Sequence, residues 1–122
     1  MPKWFFLILL ILFPPADLLF PGPAASASPE AEIAQLLARV EASGLVFVRN
    51  GQEYSSREAA EHLRRKKEYF QEKIKTAEDF IRLAASRSLM TGRPYLVKKP
   101  DGSTEAVQVW LTRELKGLRR GK

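Results

Sequence analysis

The chain of 122 residues contains no cysteine and a single histidine. Without thiols there is no disulfide, no lipid-modified cysteine, no thiol nucleophile and no zinc–thiolate site. One histidine excludes the paired imidazoles of His-x-x-x-His metal motifs. There is no Gly-x-x-x-x-Gly-Lys run, which removes the nucleotide P-loop. No nucleophile elbow is present either. Long apolar runs are equally scarce. Trp4 to Phe13, WFFLILLILF, is unbroken for ten residues, about half of the ~20 that span a bilayer.

What surrounds that run gives it a meaning. Lys3 precedes it, Pro14, Pro15 and Asp17 end it, and Ala25-Ser26-Ala27 follows as a small-x-small cleavage signal. This is the layout of a secretory signal peptide over residues 1–27, cut near Ala27. The expected product is one exported, periplasmic domain, residues 28–122, with no transmembrane segment after cleavage. The competing reading is an uncleaved inner-membrane anchor. Lys3 and Asp17 cancel, so the exported part keeps the formal charge of +6. An exported basic domain argues against nucleic acid as partner. An anionic envelope component or another envelope protein suits it better. A charge that serves solubility alone is the bland alternative.

Residues 21–29, PGPAASASP, read as a flexible linker. Ile33, Leu36, Leu37 and Val40 then fall on one stripe of a short amphipathic helix that stops at Gly44. Leu45–Arg49 has strand composition. Asn50-Gly51 predicts a type I′ turn, and residues 52–54 return as a second strand with Phe47 facing the core. Ser55 or Ser56 is expected to cap the next helix, whose apolar positions are Ala59, Leu63, Phe70 and Ile74, with the stem of Lys66 between them. Thr76 before acidic residues predicts a fresh helix rather than one continuous helix through residue 86. Ala77, Phe80, Ile81 and Ala84 form its stripe. Residues 86–94 form a hydroxyl-rich loop, 95–98 a strand, and Pro100-Asp101-Gly102 a turn. Ser103 or Thr104 is expected to cap a last helix bearing Val107, Trp110, Leu111, Leu115 and Leu118. The sum is an α+β fold: a small antiparallel sheet, from the hairpin plus one further strand, packed with about four helices.

Three chemistries can be weighed on these residues. Glu58 and His62 lie at i, i+4, but two ligands do not make a metal site. His62 with a hydroxyl from Ser86, Ser88 or Thr91 would be a nucleophile–base pair. The loop itself, with Gly92 and its free N–H groups between Arg87 and Arg93, suits an anion. Each has an ordinary counterpart. A lone histidine commonly makes structural hydrogen bonds, and loop serines commonly bond their own backbone.

Phe47-Val48-Arg49-Asn50-Gly51, Glu58-Ala59, His62-Leu63-Arg64 and Lys66 resemble the YfeK-like family of small exported bacterial proteins. So do Thr76-Ala77-Glu78, Phe80-Ile81, Ala85-Ser86, Ser88, Thr91-Gly92, Pro94-Tyr95 and Val97-Lys98. The resemblance covers roughly residues 30 to 100 and departs from the family at Tyr54, Ser56 and Arg87. It implies export and a single domain of unknown function. It implies no catalytic residue, metal or cofactor.

The expected function is a non-enzymatic binding or interaction module of the bacterial envelope. Its candidate binding residues are Arg49, His62, Ser86, Ser88, Thr91 and Gly92, gathered into one polar patch. The alternatives are a small hydrolase using His62 with a hydroxyl of the 86–91 loop, and a purely structural polar patch. No cofactor or metal is expected.

Overall fold

The computed structural model describes residues 27–121. Apart from Ala27, the expected signal segment lies outside the described residues. Helix α1 (Pro29–Ala42) starts inside the stretch read as linker. The Ser28 hydroxyl accepts the Ala31 N–H at 3.1 Å. Pro29 takes the first helical position, where a missing N–H costs nothing. The stripe of Ile33, Leu36, Leu37 and Val40 is buried.

Strands β1 (Val46–Arg49) and β2 (Gln52–Tyr54) form the expected hairpin. Asn50 and Gly51 have φ of 53° and 81°, the left-handed pair that a type I′ turn requires. Helix α2 (Ser56–Tyr69) opens on a capping box. Ser55 accepts from the Glu58 N–H, and the Glu58 carboxylate accepts from the Ser55 N–H. After Tyr69 the chain makes one 3-10 turn, Gln71–Lys73, and restarts as α3 (Ala77–Ala84). Thr76 and Asp79 form a second capping box, so two helices stand where one was possible. Phe70 and Ile74, read as continuing the stripe of α2, fall in the connection and are half-buried.

Strand β3 (Leu96–Lys98) lies beside β1. The expected cap at Ser103 or Thr104 does not form. Residues Thr104–Ala106 are instead strand β4, paired with β3. Helix α4 (Val107–Gly121) follows directly. Ser103 belongs to the turn, where both its N–H and its hydroxyl donate to Asp101. The backbone of 104–106 finds partners on β3, which a helical start would have left to water. The sheet therefore has four antiparallel strands in the order β2-β1-β3-β4, one more than expected.

Phe47 and Val97 are register partners on the sheet face turned to the helices. Phe47 meets Trp110 of α4 edge-on, with ring centroids 5.8 Å apart. Phe80, Leu111, Leu36 and Val40 complete the centre of the core. Val46, Val48 and Leu96 alternate to the other face and stay half-buried. Near them Lys98 and Glu53 pair at 2.5 Å. Among the described residues no helix is long and apolar enough to cross a membrane.

Arg119 locks the helices together. It donates to both oxygens of Glu32 at 2.9 Å and to Glu78 at 2.6 and 3.2 Å. Both carboxylates sit in first helical turns, where the helix dipole also favours them. Hydrogen bonding to Arg119 holds both below the usual carboxylate range. Glu32 is only 8% exposed, so its charge depends on that partner. Arg119→Ala should therefore destabilise the fold by about 2 kcal/mol in urea unfolding. In Arg119→Ala/Glu32→Gln, which leaves no orphaned charge, most of that loss should return. Equal stability of wild type and Arg119→Ala would remove the clamp.

Candidate functional site

Position alternation along β1 puts Arg49 on the same face as Phe47, at the end nearest the turn. Helical spacing on α2 puts Ala59, His62, Leu63 and Lys66 toward that face. Tyr95, just before β3, completes the convergence and is 6% exposed. Between them opens a cleft of about 260 Å³. Its apolar wall includes Phe47, Ala59, Leu63 and Val107. Its polar wall includes Arg49, His62, Tyr54 and Tyr95, with Glu58, Glu61 and Arg65 also lining it.

The Tyr95 hydroxyl is the hub. It lies 3.0 Å from His62 Nε2 and 3.0 Å from Lys66 Nζ. An ammonium can only donate. Tyr95 therefore accepts from Lys66, and its own proton is free to donate to a neutral His62 at Nε2, with the imidazole hydrogen on Nδ1. Lys66 spends a second proton on the Arg87 carbonyl at 2.8 Å. Its ammonium also sits 4.8 Å from the centre of the Tyr95 ring, where the aromatic face attracts a cation. Arg49 stacks on the Tyr54 ring at 5.0 Å and donates to the Tyr54 hydroxyl at 3.2 Å.

The charges that act most on His62 and Lys66 are cationic, although Glu58 and Glu61 also line the cleft. Burial, then Arg49, Lys66 and Arg65, pull the His62 pKa down to about 4. Burial and Arg49 lower Lys66 to about 8, so it remains mostly protonated at neutral pH. Burial raises the Tyr95 hydroxyl. Lys66 is buried, 6% exposed. Among the described residues, Arg49, Arg65 and Lys66 form no ion pair. Glu58 is committed to its capping box and Glu61 is exposed to solvent.

The six residues singled out in the sequence divide into two groups. Arg49 and His62 line the cleft. The loop residues are engaged elsewhere. Ser86 is buried and donates to the Ile81 carbonyl at 2.8 Å, closing the end of α3. Ser88 accepts from the Asn50 amide at 3.3 Å and from the Met90 N–H. Thr91 donates to Asn50 Oδ1 at 2.6 Å. Gly92, with φ of 75°, sends its N–H to the Ser88 carbonyl. The loop thus meets the hairpin through Asn50, and none of its hydroxyls hydrogen-bonds His62. The hydroxyl that His62 does meet belongs to Tyr95. Tyr95, Lys66 and Tyr54 were not singled out as site residues. A lysine on the apolar stripe of α2, between Leu63 and Phe70, was the available signal for one of them.

A small α+β domain with a partly polar cleft between its second helix and the turn end of its sheet is thus the class defined by fold and site. Residues 27–119 match DUF5329, a family of unknown function, and the chain belongs to that family. Over 71 residues it is 45% identical to the uncharacterized protein YfeK of Salmonella typhimurium strain LT2. That match covers 57% of this chain and 59% of YfeK, so less than two thirds of the relative is spanned. The resemblance read from the sequence motifs is to this family. No solved structure matches the chain.

The lowered His62 pKa has a stability consequence. The unfolded chain takes up the histidine proton first, near its ordinary 6.5. The stability that depends on neutral His62 is complete above about pH 6.5 and is lost as pH falls toward 4. His62 is the only histidine, and the carboxylates titrate lower. Urea unfolding between about pH 6.5 and 5 should therefore lose up to ~1.4 kcal/mol per pH unit. His62→Gln should flatten that slope. Identical slopes in both proteins would contradict the burial of a neutral imidazole.

Proposed function

We propose that this domain is a non-enzymatic binding module of the bacterial cell envelope that receives an anionic group in the Arg49–His62–Tyr95 cleft. The observation that carries the reading is Arg49, a half-buried guanidinium that lines the cleft and forms no ion pair among the described residues. Placing positive charge in a partly desolvated corner is costly when nothing opposite is bonded to it. An anion entering between Arg49 and His62 relieves that cost. It gains the free donors of Arg49, and its charge favours a proton on His62. The His62–hydroxyl pair that a hydrolase of the expected kind would use is not formed. No hydroxyl of the 86–91 loop reaches His62, and His62 is moved to about 4 and Tyr95 upward, away from the neutral range.

Phosphate or acetate added to the purified protein should raise the apparent pKa of His62, followed by its ring NMR signals, by about one unit or more. Arg49→Ala should abolish the rise. A His62 titration unmoved by either anion would overturn the reading.

The envelope location rests on the N-terminal run and on Ala25-Ser26-Ala27. Expressed with its full N-terminus in a Gram-negative host, the protein should be released with the periplasmic fraction. Its intact mass should correspond to a chain starting near Ser28. Retention of the uncut chain in the membrane fraction would favour the anchor.

A further inference from the structure

The cleft is lined by two chemically different sets of residues. One is polar, with the guanidinium of Arg49 and the imidazole of His62; the other is apolar, Phe47, Ala59, Leu63 and Val107. Inorganic phosphate or acetate would use the first and leave the second in contact with water. The whole space, about 260 Å³, is below the ~300–1,000 Å³ typical of drug-sized ligands. It exceeds the about 150 Å³ in which an apolar cavity holds benzene. One ring-sized or branched apolar group with one charged head therefore fits.

We infer that the natural ligand is a small amphiphilic anion, a carboxylate or phosphate monoester carrying one compact aryl or branched-alkyl group. The head sits between Arg49 and His62, and the apolar group lies on Phe47, Leu63 and Val107. This holds only if the cleft binds an anion at all, as proposed above. Glu58 and Glu61 also line the cleft and disfavour a second anionic group on the ligand. The rings of Tyr54 and Tyr95 offer further apolar area beside the head. Their hydroxyls are already held, Tyr54 by Arg49 and Gln52, and Tyr95 by Lys66 and His62.

The test is a ligand series on the wild-type protein, read by the His62 ring signals and by calorimetry. Acetate, phenylacetate and benzyl alcohol separate head from ring. Phosphate and phenyl phosphate do the same for the other head chemistry, and the tighter aryl anion of the two identifies it. Phenylacetate or phenyl phosphate should bind at least about tenfold more tightly than its bare head group, because the ring leaves water for the apolar wall. Benzyl alcohol should not move the His62 titration. Ala59→Leu, which fills the wall, should bring the aryl anion close to the affinity of its head group. Equal binding of acetate and phenylacetate, and of phosphate and phenyl phosphate, would overturn the amphiphile while leaving the anion site standing. Benzyl alcohol binding as well as phenylacetate, or no response to any of the five, would overturn both.

Discussion

The hydroxyl of Tyr95 is where three parts of the chain are tied to one another. The phenol stands at the entrance to β3. Lys66 and His62 reach it from α2, and Lys66 continues to the carbonyl of Arg87 at the start of the 86–94 loop. A buried ammonium must find dipoles or charges to replace its water. Here it finds a phenol oxygen, a backbone carbonyl and an aromatic face, and no carboxylate. That choice positions helix, strand and loop together. It also leaves the ammonium without an ion pair, close enough to act on His62. His62 takes the consequence, since the protonation step that would suit an exposed histidine is suppressed by burial and by its cationic neighbours.

Other charged residues of the fold are treated differently. Arg119 is matched by Glu32 and Glu78, and Arg113 and Lys99 are matched by Glu105. These pairs join elements and present no open face to a ligand. The hydroxyls of the 86–92 loop are spent in the same way, on Asn50, on Ile81 and on the loop's own backbone. In the cleft, by contrast, Arg49 and His62 stand beside apolar surface, and Arg49 forms no ion pair among the described residues. That contrast, rather than the overall basic charge, is what supports a binding role at this end of the sheet.

Much of the fold was legible because the signals are local. A stripe at helical spacing, Ser55 or Thr76 before acidic residues, and Asn50-Gly51 between apolar runs each require only neighbouring residues to act. The failures share a cause. Thr104-Glu105-Ala106 carries no strong strand signature, and its hydroxyl looks like a helix cap. It is a strand because β3 offers it a ladder of hydrogen bonds, and β3 is reached only through a turn. Ser28 was lost to a linker for a related reason, since a run of small residues hides which one takes the cap. The site shows the same division. Arg49 and His62 stood out as polar residues that packing did not demand. Tyr95 and Lys66 looked like strand and helix filling, because each derives its importance from the other across 29 positions.

By itself, the amino-acid sequence determined the apolar stripes of about four helices, the hairpin, a helix restart at Ser55 or Ser56 and another at Thr76, and the exclusion of thiol and histidine-cluster chemistry. These follow from intrinsic geometry and from which side chains exist at all. Tertiary structure alone decided the fourth strand, the partner of each hydroxyl, and the meeting of Arg49, His62, Lys66 and Tyr95. Those outcomes depend on which distant groups compete for the same donor or acceptor once water has been removed, and periodicity along a chain carries no record of that competition.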